Sequence, residues 1–270
     1  MRYVISWVPA SHEGLQGSPE QNSHEEPVFK QHKNKRQKFS RVEGSLTGRS
    51  IHTRVKTAKG RKLSSTIWLQ RQLNDPYVIE AKKKGYPSRA AFKLSELDDK
   101  FHFLKTGTRI VDLGAAPGGW TKVAVERTKP TTNDKGIVIA LDINEMEPIT
   151  GATIIRHDFL DVHASDLLKE ALGGRADIIL SDMASPASGH AATDHLRIMG
   201  LCEAALMFAY EVLAPNGTFI AKVLQGGTEK ELLTKMKSNF KIVRHFKPRA
   251  SRSDSSEMYV VASGFRGIFN

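Results

Sequence analysis

Short runs of aliphatic and β-branched residues, separated by stretches of helical spacing, limit the fold of this chain more than any other feature. The runs are RIVDLG (109–114), GIVIALD (136–142), ATIIRHD (152–158), ADIILSD (176–182) and GTFIAKVL (217–224), followed by KIVRHF (241–246) and EMYVVAS (257–263). Their near-continuous apolar character is that of strands buried on both faces. Helices are expected over 120–128, 162–172, 195–213 and 228–239. In the third, Met199, Cys202, Leu206, Ala209 and Leu213 recur at three- and four-residue steps and mark a core-facing stripe. Such alternation implies a doubly wound α/β sheet with helices on both faces. The last two runs are joined only by 247–256, too short for a usual parallel crossover, so one of them should run antiparallel.

Ahead of the first run, Ser88 is a plausible N-cap for an amphipathic helix carrying Ala91, Phe92, Leu94, Leu97 and Phe101. Order is expected from residue 66, giving one domain over 66–270 behind a basic, disordered tail over 1–65. The opening YVISWV (3–8) is short for a signal-peptide core, and no apolar run approaches the length of a membrane span. One cysteine, Cys202, excludes an intrachain disulfide and fits a reducing cytoplasm.

Forty Lys and Arg against 29 Asp and Glu give a net charge of +11, which favours a polyanionic partner, nucleic acid above all. Between Lys30 and Lys62 the positive residues include Lys33, Lys35, Arg36, Lys38, Arg41, Arg49, Arg54, Lys56, Lys59 and Arg61, with Glu43 the only acid. Such a run either folds against phosphate or remains a solvated tail. KKKGYPSR (82–89) also suits phosphate contacts, which position RNA without reading its sequence.

The motif VDLGAAPGGW (111–120) ends a strand and opens a helix, where open α/β sheets bind their ligands. Gly114, Gly118 and Gly119 let the backbone approach a ligand closely. The spacing is not that of dinucleotide enzymes, and Pro117 removes an amide that a pyrophosphate would use. The turn therefore suits a cofactor without pyrophosphate, and S-adenosylmethionine qualifies. Acids then close successive strands: Asp142, Asp158 and Asp182. Singly each reads as a cap or loop acid; in series they suit ribose hydroxyls and an adenine amine.

SRAAFKL around Lys93, DLGAAPGGW, SDMASP with GHAATDH, AKVLQGG around Lys222 and SSEMYVVASGF around Glu257 follow one another in this order. From about Tyr86 to Gly267 the chain resembles the FtsJ/RrmJ-type ribose 2′-O-methyltransferases, most closely their bacterial large-subunit members. That resemblance implies a Rossmann-like S-adenosylmethionine-dependent methyltransferase fold with one late antiparallel strand. It implies a catalytic tetrad of Lys93, Asp182, Lys222 and Glu257, with cofactor contacts at Gly118, Trp120, Asp142, Asp158 and Asp182. It further implies, as target, a uridine in the A-loop of 23S rRNA within the large ribosomal subunit. The family's usual Pro-Asn after Asp-Met-Ala is here Ser185-Pro186, a departure in the loop but not at Asp182.

A ribose hydroxyl is a poor nucleophile, so a neutral lysine beside it would take the proton during attack. Lys222 is expected as that base, with Lys93 and Glu257 orienting it and the ribose, and Asp182 bridging to the cofactor. A second cation lowers a lysine pKa and carboxylates raise it; both act on Lys222, and the sequence leaves the balance open. Cys202, the only candidate for a pyrimidine-activating nucleophile, sits on a packing stripe. SDMASP lacks the aromatic that amine methyltransferases carry. The alternatives that stay open are methylation of tRNA, and an RNA-binding assembly factor without turnover. His157, His163, His190 and His195 form no metal spacing, and nothing resembles a dimer seam, so a metal-free monomer is expected.

Overall fold

A computed structural model describes residues 53–56, 60–130, 136–186, 188–225 and 230–267. Most of the basic run and the opening apolar stretch lie outside the described residues. The elements are α1 (Leu63–Asn74), α2 (Pro76–Lys84), α3 (Ala90–Phe101), β1 (Arg109–Leu113), α4 (Gly119–Thr128), β2 (Ile137–Asp142) and β3 (Thr153–Arg156). They continue with α5 (Ala164–Leu172), β4 (Ala176–Ser181), α6 (Ala191–Val212), β5 (Leu213–Leu224), α7 (Lys230–Asn239), β6 (Phe240–Phe246) and β7 (Glu257–Phe265). The seven strands form one sheet in the order β3-β2-β1-β4-β5-β7-β6. All pairings from β3 through β5 are parallel, and β7 is antiparallel to both β5 and β6. The late antiparallel strand expected from the short 247–256 connection is β7.

The strand order reverses between β1 and β4, whose carboxyl ends lie side by side with Leu113 paired to Ser181. Asp182 donates its main-chain N–H to the Leu113 carbonyl at 3.1 Å, so the glycine turn and the SDM segment leave adjacent strands at the switch point.

Side chains alternate across the sheet. Val111, Leu113, Ile139, Leu141, Ala221, Val223, Val260 and Ala262 join one core with α5, α6 and α7, where Met199, Cys202, Leu206 and Ala209 are buried as the stripe requires. Lys222, Tyr259 and Glu257 therefore face the other way. There Trp120 of α4 lies 5.4 Å from the Tyr259 ring, and α3 packs against α4. Strand alternation alone sends Lys222 toward the helix that carries Lys93.

Four local readings change, besides the burial expected of every strand: β3 and β6 are the edges of the sheet and are largely exposed or half-buried. α6 starts at Ala191 rather than 195, and Leu213, buried as expected, opens β5 instead of ending the helix. α5 begins at Ala164, two residues late. Ser88 does not cap α3: Arg89 holds the cap position, the Ser88 carbonyl takes the Ala91 N–H in a tight first turn, and its hydroxyl packs against Gly119 without a partner. The fourth is α2, which the apolar pattern did not reveal, although Asp75 caps it through Tyr77 N–H, Pro76 opens it and Gly85 closes it at φ 69°.

Candidate active site

The glycine turn is built by the end of β2. Leu141 O accepts the N–H groups of Gly114 and Ala115, and Asp142 Oδ2 accepts that of Ala116 at 2.9 Å. Asp142 Oδ1 accepts from Asn144 N–H at 2.8 Å, so this nearly buried carboxylate braces two loops at once. At Gly118, φ is +100° and an added Cβ would lie 2.6 Å from Ile149 Cδ1, so the turn accommodates only glycine there. Gly119 and Trp120 open α4, where main-chain amides have no carbonyl one turn back. The Trp120 side chain is buried and its indole N–H is given to Ala90 O at 2.9 Å. What Trp120 offers a ligand is main chain, not its ring. Asp158 stands exposed after β3, its Oδ1 accepting Leu160 N–H at 2.9 Å in a loop turn.

Beneath the turn, Asp112 is fully buried. Thr121 donates to its Oδ2 at 2.7 Å, while Oδ1 has no partner among the described residues. Burial above all, then the nearby Asp182 and Asp142, push its carboxyl up to about 7 against the Thr121 hydrogen bonds. Because this raised value exceeds that of the unfolded chain, folding favours the protonated acid. The stability it lends is complete below about pH 4 and declines as pH rises toward about 7. Asp112→Asn should therefore gain a few degrees in Tm relative to wild type between about pH 5 and about pH 8. A difference in melting temperature that stays constant over that range would contradict a buried charge here.

Four side chains distant in sequence meet at the mouth of β4, β5 and β7. Lys222 Nζ lies 2.8 Å from Asp182 Oδ1 and donates to the Asp182 main-chain oxygen at 2.7 Å. Lys93 Nζ lies 2.7 and 2.9 Å from the two Glu257 oxygens and 4.0 Å from Asp182 Oδ2. Lys222 Nζ is 3.9 Å from Glu257 Oε2, closing the square. All four side chains are at most 14% exposed. Two residues absent from the sequence reading complete the network. Tyr259 donates its hydroxyl to Asp182 Oδ1 at 2.8 Å, and Ser251 donates to Glu257 Oε1 at 2.8 Å. Tyr259 had a signal, being two positions beyond Glu257 and hence on the same strand face.

The charge balance left open by the sequence is decided here. Burial, the largest single influence on Lys222, disfavours its ammonium, but Asp182 and Glu257 together outweigh it and hold the pKa above the ordinary lysine value. For Asp182, burial works upward, yet Lys222 and Lys93, with hydrogen bonds from Lys222 and Tyr259, bring its carboxyl below the usual range. Two buried cations facing two buried anions keep the cluster charge-compensated, the condition for burying any of them. Burial pushes the Tyr259 phenol far up, so it remains a neutral donor. Burial likewise takes the Cys202 thiol up to about 12, which removes it as a nucleophile.

A cavity of about 500 Å³ opens beside the tetrad, lined by Lys93, Glu257, Ser88, Arg89 and Pro117 and walled by α1 and the loop before β7. No helix among the described residues is long and apolar enough to cross a membrane.

The sequence profile described as FtsJ-like methyltransferase matches residues 86–265, which include all four tetrad residues. The chain is 61% identical over 230 residues to the ribosomal RNA large subunit methyltransferase E of Parvibaculum lavamentivorans, covering 83% of this chain and 91% of that one. It is 64% identical over 222 residues to the Paramagnetospirillum magneticum protein of the same name, covering 81% and 90%. Among solved structures, a Plasmodium falciparum protein described as a ribosomal RNA methyltransferase superposes with a TM-score of 0.61 at 36% identity. That match covers 68% of this chain and all of the other.

Proposed function

The chain belongs to the FtsJ-like methyltransferase family, and on that premise we propose that it methylates the 2′-oxygen of a ribose in ribosomal RNA. The substrate we infer is a uridine of the 23S rRNA A-loop, met in the cytoplasm within the large subunit, with S-adenosylmethionine as donor. The observation that carries the reading is the buried Lys93–Asp182–Lys222–Glu257 cluster beside the glycine turn. Similarity to proteins named for the large ribosomal subunit supports the choice of RNA.

The residues present fit such a cofactor. Gly118 at φ +100° lets the main chain turn tightly at this strand end, and the first amides of α4, at Gly119 and Trp120, have no carbonyl one turn back. Asp142 and Asp158, at the ends of β2 and β3, would hold its ribose and adenine, and Asp182 its amino-acid tail. S-adenosylmethionine would supply an electrophilic methyl carbon on a cationic sulfur that departs as a neutral thioether.

The protein's part is positioning and proton handling. Lys222 accepts the ribose hydroxyl proton as the oxygen attacks. In the structure its ammonium is favoured, so the reactive form is the neutral fraction that has released its proton to solvent. Asp182 stays ionised and holds Lys222 Nζ through both side-chain and main-chain oxygens. Glu257, held by Ser251, fixes Lys93 beside the ribose oxygen.

The test is to incubate the protein and labelled S-adenosylmethionine with large subunits from cells lacking it, then map the methylated nucleotide. A single 2′-O-methyluridine in the A-loop is the expected product. Methylation of tRNA instead would move the substrate, and binding to subunits without cofactor consumption would make the protein an assembly factor.

A further inference from the structure

The cavity beside Lys93 and Glu257 is walled by α1, which precedes the segment matched by the family profile. Arg71 and Gln72 of α1 face Arg252, Asp254 and Ser255 of the loop leading into β7, with Ser88 and Arg89 at the base. Asp142 and Asp158 do not line it, although Pro117 of the glycine turn does. Its lining holds three guanidinium groups and Lys93 against Asp254 and Glu257, with Asp75 just behind it paired to Arg89 and 3.8 Å from Arg252. The accessible guanidinium groups of Arg71 and Arg252 suit an anion with several acceptor oxygens.

The contacts across the cavity are exchangeable. Arg71 Nη1 lies 3.2 Å from Asp254 Oδ2 with both side chains 60% exposed, and Arg252 donates to Gln72 Oε1 at 3.1 Å. An exposed pair of that kind contributes little to folding. Glu257, by contrast, is committed to Lys93 and Ser251. Asp254 is thus the one carboxylate of the cavity that stands in for an incoming anion.

We propose that this cavity takes a backbone phosphate of the RNA adjoining the target nucleotide, with Arg71 released from Asp254 to bind it. The inference rests on the acceptor being RNA. Phosphate contacts position without reading sequence, so Arg71 would place the ribose before Lys222 and leave the chemistry to the tetrad.

Breaking one ion pair from each end separates this from a structural role. Arg71→Ala should raise KM for large subunits about tenfold, keep kcat within twofold, and shallow the salt dependence of kcat/KM by about one unit of log–log slope. Asp254→Ala breaks the same pair but frees Arg71, so KM should fall about two- to threefold. Were the pair merely structural, both variants would shift KM alike or not at all, and that result overturns the proposal. So does an unchanged salt slope, or weaker binding of S-adenosylmethionine by Arg71→Ala. Wild-type protein run in parallel distinguishes the two readings: no methylation by it would remove the RNA premise itself.

Discussion

Lys222→Ala should cut methyl transfer by about 10³-fold or more while S-adenosylmethionine still binds with an affinity within severalfold of wild type. General-base catalysis contributes typically about 10²–10⁴ in rate, and Lys222 lies between the two carboxylates of the cluster, 2.8 Å from Asp182 Oδ1 and 3.9 Å from Glu257 Oε2. Lys222→Arg separates base from charge. A guanidinium preserves the compensation of Asp182 and Glu257 but does not deprotonate, so turnover should remain near the Ala level although the fold is kept. Recovery of more than a tenth of wild-type turnover by Arg would show that the positive charge, not proton acceptance, is what the reaction needs. Lys222→Ala removes one cation from a compensated buried group, so some thermal stability is lost with it, about 3–5 kcal/mol if Lys93 does not take over the pairing. Single-turnover transfer and calorimetric cofactor binding, both measured below the variant's melting transition, separate the catalytic effect from this one. The pH profile follows from the sign of the shift. With its pKa raised, Lys222 is mostly ammonium at neutral pH and the reactive neutral fraction grows as pH increases. Wild-type kcat/KM should therefore rise with pH through the neutral range with a slope near one, and the residual rate of Lys222→Arg should lack that rise.

Much of this site follows from periodicity. The two-residue repeat of a strand sends Lys222 away from Ala221 and Val223, and the antiparallel pairing of Lys222 with Tyr259 brings Glu257 to the same face. The four-residue connection from Leu113 to the glycine pair Gly118-Gly119 places the turn at the switch point because β1 and β4 are neighbours. Other features depend on pairings that no local pattern contains. Whether burial or the carboxylates set the state of Lys222 turns on distances between residues 40 and 35 positions apart. Ser88 shows a limit of local reading. Its residue type suits a cap, but close packing against Gly119 takes the hydroxyl elsewhere and leaves it unpaired. α2 shows the opposite case, where cap and stop residues were present while only Ala81 is buried, so no apolar stripe announced the helix. Trp120 lies between these cases. Its place in the turn motif is local, but the burial of its ring against Tyr259 joins α4 to β7 and is a tertiary fact.

Gly114→Ala should weaken S-adenosylmethionine binding and slow transfer together, lowering kcat/KM for the cofactor about 100-fold or more. Gly114 has φ +74°, a conformation that costs a residue with a side chain roughly 1–2 kcal/mol. The new methyl would also lie 2.7 Å from Met183 Cγ and 2.8 Å from both Met183 Cα and N. Two of those atoms are main chain and do not rotate away, so the segment after β4 has to move. Met183 follows Asp182, whose side chain receives Lys222 and Tyr259, and whose N–H is held by Leu113 next to Gly114. One methyl therefore disturbs the turn and the anionic corner of the tetrad at once, which is why binding and chemistry should fall together. Gly118→Ala is the informative contrast. Its methyl meets Ile149 Cδ1 at 2.6 Å and Met146 Cε at 3.0 Å, both side-chain ends that can shift, and no tetrad residue. It should raise the cofactor Kd with a smaller effect on single-turnover rate at saturation. Gly200→Ala, in α6 with nothing within 4 Å of the added methyl, should leave both unchanged and add about 0.5–1 kcal/mol of stability. If Gly114→Ala raised Kd and left the saturated single-turnover rate intact, the coupling of the glycine turn to Asp182 through Met183 would be wrong, and the two halves of the site would be mechanically independent.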